Sequence, residues 1–341
     1  MPIVKRAATD MFTFAHLADF MVNPVNLKGA MGAGLALEFK TRFPKMFEAY
    51  RDACLNGKFK LGSIMTWSAP DVRYKILNLA TKNHWVDDGN PELIKQGLGV
   101  LQRLLERKEN RYAHVVMPML GCGLGNQDYE TMLPFFYEYL DGLDAVISLS
   151  MHPDKLGYIP KYLGIVGPRC WADEGLIGKT PKGSSEVYTE EQYKKEYAYV
   201  EEALHEACAL WGVTPSDFDA FISGGAHGVD TVACGRSRTD PTYERSLAKK
   251  YSKPLPVICH ADWERYGNSA GMIRNQLVKD IATHMIVIRP KEVSSIGTTA
   301  MARSIMSHNA KAEKGEAHHI HCLVKGDSDL TPVKTAIDIH R

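Results

Sequence analysis

Short apolar runs alternate with amphipathic segments along most of the chain, and this alternation predicts an α/β protein. Runs such as residues 74–79 and 162–166 have the length and composition of buried parallel strands. An amphipathic helix is expected to begin at Asn90-Pro91, where a capping residue precedes a proline. Further strands are predicted at residues 114–117, 218–222, 256–259, 285–288 and 320–324. We therefore expect sheets covered by helices.

The alternation restarts near residue 160, which predicts two domains. A length of 341 residues accommodates two domains of ordinary size. We place the first at residues 1–158 and the second at residues 159–341. Within the second, residues 172–188 are polar and glycine-rich, as in a mobile loop. Thr189 and Gln192 then form a capping box, which predicts the start of a long helix.

Composition narrows the class of protein. The apolar fraction of 45% and the charged fraction of 24% are those of a soluble globular chain. No apolar run approaches the roughly 20 residues that span a bilayer, and no secretion signal is visible at the first residues. Seven cysteines without a CxxC pair indicate reduced thiols, so we expect a cytoplasmic protein. A net charge of +1 gives no overall attraction to nucleic acid.

Two glycine-rich loops in the first half predict a phosphate-binding cleft. In residues 22–40 an apolar run leads into a Gly/Ala/Met loop and then into a helix. A strand, a glycine loop and a helix start together present free backbone N–H groups to phosphate. The second loop, at residues 118–125, follows the predicted strand at 114–117. Met31 or Leu35 could form a wall of the cleft.

Both loops resemble those of macrodomains, the ADP-ribose-binding fold. The segment from Pro118 to Gly123, proline-x-leucine-glycine-cysteine-glycine, is similar to that of the branch containing DarG antitoxins and the human terminal ADP-ribose glycohydrolase. The resemblance covers about residues 8–145 and implies a three-layer α/β/α sandwich. The residues that it assigns to ADP-ribose are Asp10, Asn26, Gly29, Met31, Gly32, Gly34, Thr81, Leu120, Gly121, Cys122, Gly123, Leu124 and Gly125. For Asn26, an Asx turn is the alternative reading.

The same resemblance makes Lys82 the candidate catalytic residue. A threonine-lysine pair at this place supplies the catalytic lysine of the similar glycohydrolases. Such a lysine can stabilise charge or attack C1″ of the distal ribose, although an ordinary surface lysine is the alternative. The human enzyme carries an aspartate where this chain has Gly125, so a mechanism that needs that carboxylate is in doubt. DarG-like antitoxins tend to carry glycine there, and their substrate is ADP-ribose on thymidine in DNA.

The second half resembles the SLOG superfamily, Rossmann-like domains related to the protein DprA and the LOG phosphoribohydrolases. The similarity lies in glycine motifs at residues 167–169, 224–230 and 297–299 and in an alanine-aspartate-tryptophan segment at residues 261–263. It implies a nucleotide site formed by Gly167, Arg169, Ser223, Gly224, Gly225, His227, Gly228, Asp230, Arg274, Gly297, Thr298 and Thr299. LOG enzymes carry a glutamate shortly after the motif that corresponds to residues 297–299, and this chain has no glutamate there. Binding without hydrolysis is therefore the expectation for this half.

The sequence allows three functions. The first is an ADP-ribosyl glycohydrolase with a nucleotide-binding domain, in a bacterial or phage system, which requires no cofactor and acts on modified DNA or protein. The second is a non-catalytic sensor or sponge for ADP-ribose or a related nucleotide. The third is a DNA-associated protein of the DprA kind. Neither a membrane nor a metal is expected: no apolar run could span a bilayer, and neighbouring side chains of a strand face opposite sides, which argues against one tetrahedral site from His318, His319 and His321. A homo-oligomer is possible.

Overall fold

The chain forms two compact units, Met1–Ile159 and Pro160–Arg341, which divide one residue beyond the predicted boundary. The computed structural model describes residues 3–8, 10–169, 189–237, 239–251, 255–289, 296–314, 319–326 and 330–332. The predicted loop at 172–188 and one residue of the histidine cluster, His318, lie outside these ranges. No helix among the described residues is both long enough and apolar enough to cross a membrane.

The first unit is built on a six-stranded sheet. Its strands are β1 (Ile3–Ala7), β2 (Phe20–Asn26), β3 (Ile64–Trp67), β4 (Lys75–Lys82), β5 (His114–Pro118) and β6 (Val146–Met151). Its α-helices are α1 (Gly34–Arg42), α2 (Pro44–Leu55), α3 (Pro91–Leu105), α4 (Tyr129–Leu140) and α5 (Pro153–Leu156). The strand order is β1-β6-β5-β2-β4-β3, and all neighbours are parallel except β3 and β4.

Helices cover both faces of this sheet. Along β2, Phe20 belongs to a core cluster shared with α3 and α4, and Met21 to a cluster shared with α1 and α2. Neighbouring side chains of a strand point to opposite faces, so the unit has three layers. The start of α3 is as predicted, since the Asn90 side chain accepts hydrogen bonds from the N–H groups of Glu92 and Leu93. The α/β/α architecture is thereby confirmed.

The second unit has a sheet of its own. Its strands are β7 (Tyr162–Val166), β8 (Ala220–Ser223), β9 (Leu255–Ile258), β10 (His284–Ile288), β11 (His321–Lys325) and β12 (Leu330–Pro332). Its helices are α6 (Glu190–Trp211), α7 (Val229–Cys234), α8 (Pro241–Glu244), α9 (Leu247–Lys250), α10 (Trp263–Tyr266), α11 (Ala270–Ile281) and α12 (Ile296–Ala312). The capping box of Thr189 and Gln192 begins α6, as predicted.

The order of these strands is β12-β11-β10-β7-β8-β9, and β12 is antiparallel to the parallel remainder. Counted within the unit, the parallel strands read 3-2-1-4-5, which is the doubly wound order of a Rossmann-like sheet. The chain reverses its winding direction between β7 and β10. Ligands of open α/β sheets bind beyond the carboxyl ends of the strands at such a point.

Candidate functional site

A cleft of about 560 Å³ opens beyond the carboxyl ends of β2, β4 and β5 in the first unit. Pockets for small ligands span roughly 300–1,000 Å³, so the volume fits one. Of the predicted ADP-ribose site, the lining contains Asn26, Met31, Gly32, Gly34, Thr81, Lys82, Gly121, Gly123, Leu124 and Gly125. Both glycine loops and the end of β4 therefore converge on one cavity.

Lys82 is held in the wall of this cleft by backbone carbonyl groups. Its Nζ atom donates to the carbonyl oxygens of Asp87 at 2.8 Å, Leu124 at 3.2 Å and Trp85 at 3.3 Å. An ammonium group has three protons, and here three acceptors surround it. The side chain thus connects the loop after β4 to the second glycine loop as a fixed cation.

Three glycines of the cleft close the second loop on itself. A Cβ atom on Gly125 would lie 2.5 Å from the carbonyl oxygen of Gly121. The Gly89 N–H donates to the Gly125 carbonyl at 2.8 Å, and a Cβ atom on Gly89 would lie 3.1 Å from the Gly121 Cα. Gly121 has a φ of +83°. The protein's own packing therefore demands glycine at these positions.

Two other glycines face open space. A Cβ atom on Gly32 or on Gly123 would meet no protein atom within 4 Å, and both residues line the cleft. Neither has the positive φ that favours glycine. Their missing side chains leave the backbone of each loop accessible to a ligand. Across the cleft, a Cβ atom on Gly34 would approach the Leu124 side chain at 3.1 Å, so the two loops nearly touch.

Asn26 shapes the first loop. Its Oδ1 atom accepts from the N–H of Lys28 at 2.9 Å, and its Nδ2 atom donates to the Ala30 carbonyl at 2.7 Å. The buried Tyr50 hydroxyl donates to the Asn26 carbonyl at 2.6 Å. This is the Asx turn that the sequence left as an alternative. Asn26 still lines the cleft, with one amide proton left for a ligand.

Four residues of the predicted ADP-ribose site lie outside the cleft lining. Asp10 caps a 3-10 turn by accepting from the Phe12 N–H at 2.8 Å, and it also pairs with Arg42 at 3.3 Å. Gly29 packs against Arg51 with a φ of +70°. The other two, Leu120 and Cys122, are buried in the core. Burial raises the pKa of the Cys122 thiol to about 12, so the group stays protonated.

In the second unit, most of the predicted nucleotide site gathers after β8. The Arg274 Nη1 atom donates to the Gly224 carbonyl at 2.7 Å and lies 3.4 Å from Asp230 Oδ2. Burial raises the pKa of Asp230, and the charge of Arg274 opposes that rise. The charge of Arg274 is therefore matched by a buried carboxylate, which differs from the expected open phosphate contact.

The glycines of this unit also differ in what they do. A Cβ atom on Gly167 would lie 2.5 Å from Val229 Cγ2, and one on Gly225 would lie 2.7 Å from Ile258 Cγ2. Gly297, in the first turn of α12, faces open space. Close packing therefore explains the first two glycines, while the third leaves its backbone accessible.

The remaining residues of the predicted nucleotide site differ in burial and charge. Burial, and then the charges of Arg236 and Arg169, lower the pKa of His227. Gly228, with a φ of +83°, is the N-cap of α7. The hydroxyl-bearing residues are Ser223 and Thr298, which are buried, and Thr299, which is half-buried. Within the described ranges, no group of three His, Cys, Asp or Glu side chains could hold a metal ion.

Several residues of the cleft lining were not among the predicted site residues. Trp85, Gly89 and Met119 line the cleft as well. The sequence offered a signal for the first of these, because Trp85 follows Thr81-Lys82 within a short polar segment. Gly89 and Met119 contribute through packing between distant loops, which no local pattern shows.

Comparison with known proteins bears on the first unit. Residues 22–135 match the model of the Macro domain family. The chain is 38% identical over 134 residues to a DNA ADP-ribosyl glycohydrolase of Mycobacterium tuberculosis, with 38% of each chain covered. It is 34% identical over 131 residues to one of Thermus aquaticus, covering 38% of this chain and 36% of the other.

A solved structure is also similar. It is that of Thermosipho africanus DarTG in complex with ADP-ribose, at 25% identity and a TM-score of 0.39, covering 44% of this chain and 41% of that one. The chain spans under two fifths of the length of the curated relatives cited above. The SLOG resemblance of the second unit stays a prediction. Every lining residue of the cleft falls inside residues 22–135, the range that matches the Macro domain family.

Proposed function

We propose that the first unit binds ADP-ribose in the cleft and hydrolyses the bond that joins it to a macromolecule. The relatives' name, DNA ADP-ribosyl glycohydrolase, supports DNA as the acceptor. The observation that carries the proposal is the Lys82 ammonium group, which is fixed in the cleft wall between the loop after β4 and the second glycine loop. Such an activity suits a bacterial or phage system that reverses ADP-ribosylation.

In this reaction water adds to C1″ of the distal ribose, the bond from C1″ to the acceptor breaks, and the acceptor leaves with a proton. The glycines that line the cleft present backbone N–H groups to the pyrophosphate. A charged Lys82 can donate a hydrogen bond or a proton to the departing acceptor once it exchanges one of its three carbonyl partners for that acceptor. It becomes a nucleophile only after it gives up a proton and one of its three carbonyl partners.

The position of Gly125 supports hydrolysis without a second-loop carboxylate. An aspartate there would bring its Cβ atom to 2.5 Å from the Gly121 oxygen. A lysine adduct that needs this carboxylate for its release therefore does not fit the loop. Direct attack by water, with Lys82 assisting the leaving group, fits the geometry better.

The test is the release of ADP-ribose from ADP-ribosylated single-stranded DNA and from ADP-ribosylated protein. Lys82→Ala should lower turnover at least about 100-fold and keep ADP-ribose affinity within about tenfold. Lys45→Ala, an exposed lysine of α2, is the control and should behave as wild type. Wild-type protein that binds ADP-ribose but cleaves neither substrate would be a sensor or sponge. Tight, salt-sensitive retention of unmodified DNA would favour the DNA-associated alternative.

We also propose that the second unit binds a phosphate-bearing nucleotide without cleaving it. The doubly wound strand order is the observation that favours this second function. Titration with nucleoside mono- and diphosphates tests it, and Gly297→Val should abolish binding because its backbone faces open space. Gly123→Val, a substitution in the first unit, is the control and should leave nucleotide binding by the second unit unchanged. Recovery of free base and ribose phosphate would show hydrolysis and contradict the proposal.

A further inference from the structure

A tryptophan stands at the mouth of the cleft with most of its surface in solvent. Trp85 lines the cleft and is 55% exposed. The imidazole of His84 lies against it, with ring centroids 3.7 Å apart and planes inclined by 33°. Large aromatic side chains are usually buried, so an exposed one beside a ligand cleft indicates a contact surface.

The loop that carries this ring is braced. The Trp85 carbonyl accepts from Lys82 Nζ at 3.3 Å, and the Asp87 carbonyl accepts from the same atom at 2.8 Å. An oxygen of the Asp87 carboxylate accepts from the His84 N–H at 2.8 Å. The indole ring therefore belongs to a loop fixed by the candidate catalytic residue, which limits the ordering cost of a contact with substrate.

The surroundings of the ring indicate what it would contact. Val86 and Leu124 are also exposed, by 72% and 66%, and Leu124 lines the cleft. The carboxylates on this rim, Asp87 and Asp88, are exposed. Negative charge disfavours phosphate at this place, whereas an apolar rim suits an uncharged flat ring.

We propose that Trp85 is the platform on which the nucleobase that carries ADP-ribose stacks. This inference rests on the proposed function, and it adds the residue that selects the acceptor. Stacking on Trp85 would hold the base beside Lys82 while the ADP-ribose fills the cleft. An aliphatic hydroxyl or carboxylate acceptor of a protein offers no ring to stack, so the platform favours DNA. In a duplex, the modified base would have to leave the helical stack.

The experiment measures binding in a Lys82→Gln background, because glutamine removes the ammonium group but keeps N–H donors for the carbonyl groups that brace the loop. The probes are a single-stranded oligonucleotide with one ADP-ribosylated base, an ADP-ribosylated peptide, and free ADP-ribose. Adding Trp85→Ala should weaken oligonucleotide binding about tenfold or more. Peptide and ADP-ribose affinities should change less than about twofold. Trp85→Phe should restore most of the loss, and Leu55→Ala, an exposed apolar residue of α2, should change nothing.

The outcomes separate this inference from the proposed function. The platform is wrong if Trp85→Ala leaves oligonucleotide binding unchanged, or weakens all three probes alike. It is also wrong if the modified oligonucleotide binds no more tightly than free ADP-ribose. Failure of the wild-type protein to cleave any substrate, with the Trp85 selectivity intact, would remove the glycohydrolase proposal and leave the platform in a binding protein.

Discussion

Gly121 and Gly125 lie so close together that a Cβ atom on Gly125 would stand 2.5 Å from the carbonyl oxygen of Gly121. The second glycine loop is therefore closed by backbone packing, which the hydrogen bond from the Gly89 N–H to the Gly125 carbonyl reinforces. This contact accounts for the missing carboxylate at position 125, because the loop leaves no volume for one. Lys82 is a charged side chain that the structure does hold at this loop, through the Leu124 carbonyl.

Gly125→Asp should damage the cleft rather than improve catalysis. The added atoms must displace the Gly121 backbone, and overpacking of this kind costs about 1–3 kcal/mol. We expect a lower free energy of unfolding in chemical denaturation and weaker binding of ADP-ribose. Gly123→Ala is the matched control for stability, since its Cβ atom would meet no protein atom within 4 Å. Higher turnover in Gly125→Asp at unchanged stability would contradict this view of the loop.

The buried pair of Arg274 and Asp230 predicts a pH-dependent loss of stability. Arg274→Met removes the cation and leaves Asp230 buried without it, which costs about 3–5 kcal/mol. The pKa of Asp230 is already raised by burial, and it should rise further without Arg274. The folded protein then binds a proton more readily than the unfolded chain, so the deficit should narrow as pH falls.

Urea denaturation at neutral pH and at about pH 5 measures this change in the deficit. The double variant Arg274→Met/Asp230→Asn removes the unpaired charge and should recover part of the lost stability at neutral pH. A deficit that stays constant across this range, or a double variant no more stable than the single one, would contradict the role given to the pair.

His284 predicts a second pH dependence, of opposite sign. Its ring stacks on His321 with centroids 4.7 Å apart and packs edge-on against Trp211 and Phe218. Burial, and then His321, lowers the pKa of His284 from 6.5 to about 4. The folded state favours the neutral ring. The contribution of His284 to the free energy of unfolding is therefore complete above about pH 6.5 and is lost as pH falls towards about 4.

The free energy of unfolding should fall by about 3 kcal/mol over that range. His284→Gln should flatten this part of the stability profile, measured by urea denaturation at a series of pH values. His16→Gln, at an exposed histidine of the first unit, should keep the wild-type slope. Equal slopes in His284→Gln and wild type would show that another group is responsible.

Local patterns predicted much of the fold. The strand at Tyr162–Val166 was placed to the residue, and the starts of α3 and α6 follow from Asn90 and the Thr189 capping box. These signals depend on neighbours in sequence. Strand β3 (Ile64–Trp67) was not predicted, because it is short and pairs antiparallel at the sheet edge, where its residues are only half-buried or exposed.

The roles of single residues were harder to predict, because they depend on partners far along the chain. Sequence marks Gly32 and Gly125 alike as loop glycines, yet one faces open space and the other packs on Gly121. Arg274 looks like a free cation in sequence, but its carboxylate partner lies 44 residues away. Only the folded packing separates a residue that contacts ligand from one that shapes the loop.

The most direct test of the central claim is calorimetric titration of ADP-ribose into the full chain and its Gly123→Val variant. We expect a dissociation constant of about a micromolar or lower for wild type. The variant should lose about tenfold or more in affinity, because the added side chain enters the cleft where no protein atom stands within 4 Å. Thermal unfolding of the two proteins should coincide. Absence of heat with folded wild-type protein, or equal affinity in the variant, would contradict an ADP-ribose site in this cleft.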